Sequence, residues 1–177
     1  KVRADLVDGD AVTWTDADLL ECLNEGVRAL CLVKTDEYVL NESITLVAGS
    51  SQELPARSQA LIDITENTQS GRRVTQVSLD LLNETLRFWP AQQQSAFVIH
   101  YAADPRDSTR FRVYPPVIGG TQVLCIWSAV PAPVSLAQSI PVGDQYEPAL
   151  VKWMMGAAYR RNSTRQEEAD LLRDLVE

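Results

Sequence analysis

One histidine, three cysteines and no long apolar run narrow what this chain can be before any motif is sought. With His100 alone, a histidine-rich metal site is excluded, and a Cys/His zinc site would need Cys22, Cys31 and Cys125 to converge from distant stretches. An odd cysteine count in 177 residues argues against a disulfide scaffold and suits a reducing compartment. If Cys22 and Cys31 share a helix, they lie on opposite faces about 13 Å apart along its axis, out of bridging range. All three read as small buried hydrophobes. No stretch reaches the roughly 18–20 apolar residues that cross a bilayer, and no basic segment followed by an apolar one opens the chain, so it reads as soluble and not exported. Lys1 in place of Met, and Glu177 inside an expected helix, read as trimmed ends. Basic residues are also scarce. Sixteen against 24 acidic ones leave a net charge of -8, which argues against a broad grip on phosphate backbones or anionic membranes.

Catalytic signatures are missing as well. There is no G-x-S-x-G elbow, no fitting S-x-x-K, no phosphate-cradling G-x-x-x-x-G-K-[ST] and no G-x-G-x-x-G. Asp8-Gly9-Asp10 opens like a calcium loop, but Val12, Thr13 and Leu19 stand where that loop needs an acid or amide, a glycine and a glutamate. Asp104 and Asp107 form the one carboxylate pair that could be set against glycan chemistry, yet in a D-P-R-D turn such side chains ordinarily bond backbone amides. His100 sits in an apolar strand-like run and reads as structural. Trp14, Trp89, Trp127 and Trp153 are spread over every predicted element and read as core rather than as a sugar-binding face. The expected inventory is therefore no catalytic, cofactor-binding or metal site and no bound cofactor.

What is present is ordinary core-forming pattern. A chain of this length with 45% hydrophobic residues buries one domain's core. Thr15-Asp16-Ala17-Asp18 offers a cap and first-turn carboxylates, and Leu20, Leu23, Val27 and Leu30 recur at helical spacing, predicting a helix over about 16–34. Gly26 is its one weak point. Alternation from Glu42 to Ala48, a Gly49-Ser50-Ser51 turn and a return over Gln52–Pro55 predict a hairpin. Ala60–Ile64 is a short apolar segment, Thr65–Arg73 a loop, and Ser78–Glu84 a short helix stopped at Pro90. Ala96–Tyr101, Phe111–Tyr114 and Thr121–Ala129 predict a three-stranded antiparallel meander, turning at Asp104–Asp107 and Pro115–Gly120. Pro131–Pro141 is a stiff connector. Asp144-x-x-Glu147 resembles a capping box for a helix carrying Leu150, Val151, Met154, Ala157 and Ala158, and Thr164-x-x-Glu167 opens a second helix running to the end. The expected architecture is α+β and a single domain over 1–177. An N-terminal helix joins two C-terminal helices in a helical lobe (15–35 and 145–177), beside an antiparallel β lobe of hairpin plus meander (about 38–130).

Several stretches together resemble the head-to-tail adaptor, or connector, proteins of tailed bacteriophages, a group that includes tail tubular-like head-completion proteins. They are Ser43–Gly49 with Gln52–Pro55, Ala60–Ile64, His100–Pro105, Phe111–Pro116, Trp127–Pro131 and Asp144–Leu150. They follow in order over most of the chain, although no fragment is specific alone. The resemblance implies a structural, non-enzymatic virion protein assembled in the host cytoplasm and placed in the neck between head and tail. It implies a homo-oligomeric ring of twelve copies, portal above, tail or nozzle protein below, no membrane, and duplex DNA passing through the lumen without sequence-specific binding. Trp153, Arg160, Arg161 and Arg165 are the expected portal-docking residues, their plain alternative being core packing and charge at a helix end. Other readings open at this point are a tail terminator or stopper, a carbohydrate-binding β module, and a glycan-degrading virion enzyme using Asp104 and Asp107.

Overall fold

The structure, a computed structural model, describes residues 2–6 and 13–174, without the side chains of Arg3 and of residues 164–174. In chain order the elements are α1 (Val2–Asp5), α2 (Asp16–Val33), β1 (Val39–Thr45), β2 (Gly49–Glu53), β3 (Ser58–Asn67), β4 (Thr75–Gln76), α3 (Leu79–Thr85), β5 (His100–Ala103), β6 (Arg110–Val117), β7 (Gln122–Ala129) and α4 (Glu147–Asp174). Short 3₁₀ turns occupy Trp89–Ala91 and Asp144–Tyr146. The class is α+β, as the pattern predicts. The chain divides into two compact units, one of Lys1–Lys34 with Pro131–Glu177, the other of Thr35–Val130.

The second unit is a sandwich of two sheets, ordered β1-β7-β3 and β2-β6-β5-β4. All pairs are antiparallel except the two-residue β4–β5 contact. Ile64, Phe111, Val113, Val117, Val123 and Cys125, each at most 1% exposed, fill the space between the sheets. In β7 the alternation works as read: Val123, Cys125 and Trp127 point inward, while Leu124 and Ile126 lie half-buried on the other face.

Two pairings differ from the sequence reading. The segment 42–55 is not a hairpin, because β1 pairs along all seven residues with β7 and β2 pairs with β6. Leu46 bonds Thr121 (2.8 Å) and Gly120 (3.1 Å), and the Gln52 carboxamide holds both backbone groups of Val47 at 2.9 and 2.8 Å. The groups a hairpin ladder would use are thereby committed to a corner that carries the chain from one sheet to the other. The meander also splits. β5 and β6 form a hairpin, but β7 joins the other sheet. Pro115 and Pro116 have no N–H to offer at the end of β6, and the register of β2 against β6 shifts opposite them.

Local boundaries moved for equally specific reasons. The predicted strand over Ala96–Tyr101 is paired only from His100, since the N–H and C=O of Val98 are taken by the Asn67 side chain. That same contact draws β3 three residues, Thr65 to Asn67, into the predicted loop. At the β3 side the sheets are tied across: Val74 N–H donates to Thr65 O at 3.0 Å, and the Tyr101 hydroxyl donates to Asp63 at 2.8 Å. Burial, then the Asp63 bond, raises the Tyr101 phenol above its ordinary pKa.

In the first unit, Thr15 caps α2 as read: its Oγ1 accepts the Asp18 N–H at 3.1 Å and the Asp18 carboxylate accepts the Thr15 N–H at 3.1 Å. Leu19, Cys22, Gly26, Val27 and Cys31 form its buried side. The closing segment differs from two helices. Asp144–Tyr146 is a 3₁₀ turn with no side-chain cap, and it runs into one uninterrupted 28-residue helix, α4, with no break near residue 164. The Ser163 hydroxyl donates back to the Arg160 carbonyl at 2.8 Å, a bond compatible with continuing the helix, and Asn162–Thr164 supply neither glycine nor proline. The expected cap residue at Thr164 has its side chain outside the described residues.

Candidate interaction surface

The residues with chemical potential are largely occupied by the fold. Asp104 accepts the Arg106 N–H at 2.9 Å, and Asp107 accepts the Thr109 N–H at 2.9 Å and its hydroxyl at 2.6 Å. The Thr109 bonds hold the Asp107 carboxyl below its ordinary pKa. Each aspartate therefore closes its own turn. His100 stacks on Tyr114 with ring centroids 6.2 Å apart and 14° between planes. Its Nδ1 is buried and has no hydrogen-bond partner among the described residues. Trp14, Trp89 and Trp127 are 2–4% exposed, so the four tryptophans do not form a surface platform. All three cysteines are buried, and burial, followed by the Asp63 charge, pushes the Cys125 thiol up to about 12. Among the described residues no group of three or more His, Cys, Asp or Glu side chains is placed to hold a metal, and no helix is long and apolar enough to cross a membrane.

The sequence-predicted docking residues lie on α4. Trp153 is 41% exposed, and one side of its ring covers α2 at Gly26, where a Cβ would stand 2.8 Å from Trp153 Cδ1. Glycine in a helix interior costs about 1 kcal/mol relative to alanine. Here it admits the indole against the α2 backbone, the one signal in the sequence that a close approach occurs at this position. Arg160 is exposed. Arg161 turns toward α2 and forks onto two carboxylates one helical turn apart, Glu21 at 2.7 Å and Glu25 at 2.9 Å. The Arg165 side chain lies outside the described residues.

All four expected docking residues thus sit on one helix, whose placement against α2 is set by Gly26 and by the Arg161 fork. Glu21 and Glu25, both exposed on α2, belong to that arrangement. With the fork's carboxylates half-exposed or more, it is a modest tie. Replacing Arg161 with methionine is expected to lower the stability of the helical unit by about 0.5–1 kcal/mol at low salt. The difference from the parent chain should vanish in molar salt. Urea unfolding of the full chain at both ionic strengths checks this, and a deficit that persists unchanged in salt would show that Arg161 acts by packing instead.

The described face has neither a deep polar cleft nor converging catalytic groups. It offers an exposed indole and arginines beside an acidic helix, a surface suited to another protein. A family model described as SU10 adaptor protein matches residues 1–175 of the chain. No curated protein matches it.

Proposed function

Because the chain belongs to the SU10 adaptor protein family, a family of structural head-to-tail adaptors of phages, we propose that it is the ring subunit joining the portal to the tail. The observation that carries this reading is the extent of the match, which runs through both compact units rather than through one. The role is assembly, not catalysis. Its place is the virion neck, with portal on one side and tail or nozzle protein on the other.

Twelve copies surround the DNA channel in this proposal. Heterologous side-by-side packing closes into such a ring only when the rotation per subunit fits. At -8 per copy, twelve copies carry -96. A wall of that sign repels the duplex and lets it slide without sequence-specific binding. Portal docking is assigned to Trp153, Arg160, Arg161 and Arg165. Because Arg161 also ties α4 to α2, a docking test belongs on Trp153 and Arg160, with Arg161 retained.

The proposal predicts that the purified chain, mixed with the portal of its phage, forms a twelvefold collar visible by negative-stain imaging. Trp153→Ala with Arg160→Glu should reduce collar occupancy roughly tenfold or more, the scale of a lost aromatic anchor. Portal that stays bare at saturating chain would overturn the reading. Undiminished collars in the double variant would overturn the docking assignment alone.

A further inference from the structure

The two flanks of the β sandwich are unlike. At one, β3 and the segment leading into β4 are tied together: Asn67 N–H donates to Arg72 O at 2.8 Å, Val74 N–H donates to Thr65 O at 3.0 Å, and β3 carries three register shifts. Bulges and a covering segment are what protect a sheet edge. At the other flank, β1 and β2 each end their sheet, joined by the corner over Leu46–Ala48. β1 keeps perfect register with β7 over seven residues and contains no proline, lysine or bulge. Leu46 and Tyr38 bond toward β7, so strand alternation turns the backbone groups of Val39, Asn41, Ser43 and Thr45 away from it, and all four residues are exposed. This edge is open.

One charge guards it. Glu42 lies opposite Cys125 on the inward-facing side of β1, between Leu40 and Ile44, yet is exposed at the rim of the sandwich. An incoming apolar strand would bury that carboxylate unpaired, whereas a segment bringing positive charge would satisfy it. The protected flank supplies such a segment. Its turn, Gln69-Ser70-Gly71-Arg72-Arg73, is exposed and carries two arginines and no acid in a chain of net charge -8. Arg72 rests over Phe97 at 4.3 Å, while neither Arg73 nor Glu42 has an ion-pair partner among the described residues. Pairing β1 with another β1 in the fully overlapped antiparallel register would set Glu42 against Glu42, a repulsive arrangement. The complementary flanks are instead the two sides of one molecule, the condition for a heterologous contact that repeats around a ring.

We propose that the open β1 edge, through Glu42, receives the Arg72–Arg73 turn of the neighbouring copy of this chain. The proposal rests on the ring reading above and names its lateral contact. Glu42 pairs with Arg73 of the next copy, and the outward backbone groups of β1 bond the turn.

The test uses the full chain carrying Glu42→Cys and Arg73→Cys together, incubated with portal and treated with a short bismaleimide. A link within one copy, where Ser43 Oγ lies 2.8 Å from Thr68 Oγ1 at the start of the turn, leaves the mass of a single chain, so only links between neighbours give a ladder. The double variant should give a ladder of covalent oligomers, and an equimolar mixture of the two single variants should stop at dimers. The native cysteines are buried and stay silent. Separately, Glu42→Arg and Arg73→Glu should each weaken assembly roughly tenfold, and their combination should restore it. Rings that form on portal without any 42–73 cross-link, or without restoration in the swap, would overturn this contact and leave the ring standing. Portal without rings for the parent chain would overturn both.

Discussion

Replacing Asn67 with alanine is expected to destabilise the β unit by about 3–5 kcal/mol, since buried backbone groups left without partners cost about 1–3 kcal/mol each. Asn67 is 2% exposed and its carboxamide substitutes for a strand. Its Oδ1 accepts the Val98 N–H at 2.7 Å, and its Nδ2 donates to Val98 O at 2.8 Å and to Arg72 O at 3.0 Å. Val98 is itself 1% exposed, so water cannot easily take over. Hydrogen exchange should show the Val98 and Thr75 amides losing protection first, while α2 and α4 amides are unaffected. A measured loss under about 1 kcal/mol would mean that the backbone rearranges to pair Val98 elsewhere. The variant bears on function too, because Asn67 and Arg72 shape the turn proposed to meet the neighbouring copy.

Gly26→Leu is the second large expectation, at about 1–3 kcal/mol lost from the helical unit, the usual cost of forcing extra carbons into a filled contact. A Cβ alone would stand 2.8 and 3.2 Å from Trp153 and 3.3 Å from Leu150. Alanine at this position gains helix propensity of about 1 kcal/mol, which offsets part of its clash, so Gly26→Ala should lie near neutral. Leucine has no such balance and must push the indole outward. Trp153→Leu should therefore recover part of the loss in the Gly26→Leu background, a non-additivity measurable by urea unfolding of the four chains. Simple additivity would show that Gly26 and Trp153 do not share the contact.

Much of the local structure was legible because it is decided locally. The cap at Thr15, the helix over about 16–34 and the inward series Val123, Cys125, Trp127 need only neighbouring residues to specify them, although the buried side of that helix is Leu19, Cys22, Gly26, Val27 and Cys31, of which the read series Leu20, Leu23, Val27 and Leu30 shares only Val27. The Asp104 and Asp107 turn bonds were readable for the same reason. The pairing of strands was not. Alternation announces that β1, β2, β6 and β7 are strands but leaves open which edges meet, and the answer lay in Leu46 bonding Thr121 and in the Gln52 carboxamide filling the corner. Nor does the sequence show that Arg161 forks onto carboxylates 136 and 140 positions away.

By itself, the sequence determined the α+β class, the acidic balance, the cap at Thr15, most of the strand content and the resemblance to phage adaptors, all of which depend on composition, short-range spacing or ordered fragments. Only the tertiary structure decided that the strands divide into two sheets, that α4 is continuous, that Gly26 seats Trp153, and that one sandwich flank is open around Glu42 while the other carries Arg73. Those outcomes depend on competition among distant donors and acceptors for the same backbone groups, and on whether two surfaces fit without overlap. No periodicity within one stretch of chain encodes either.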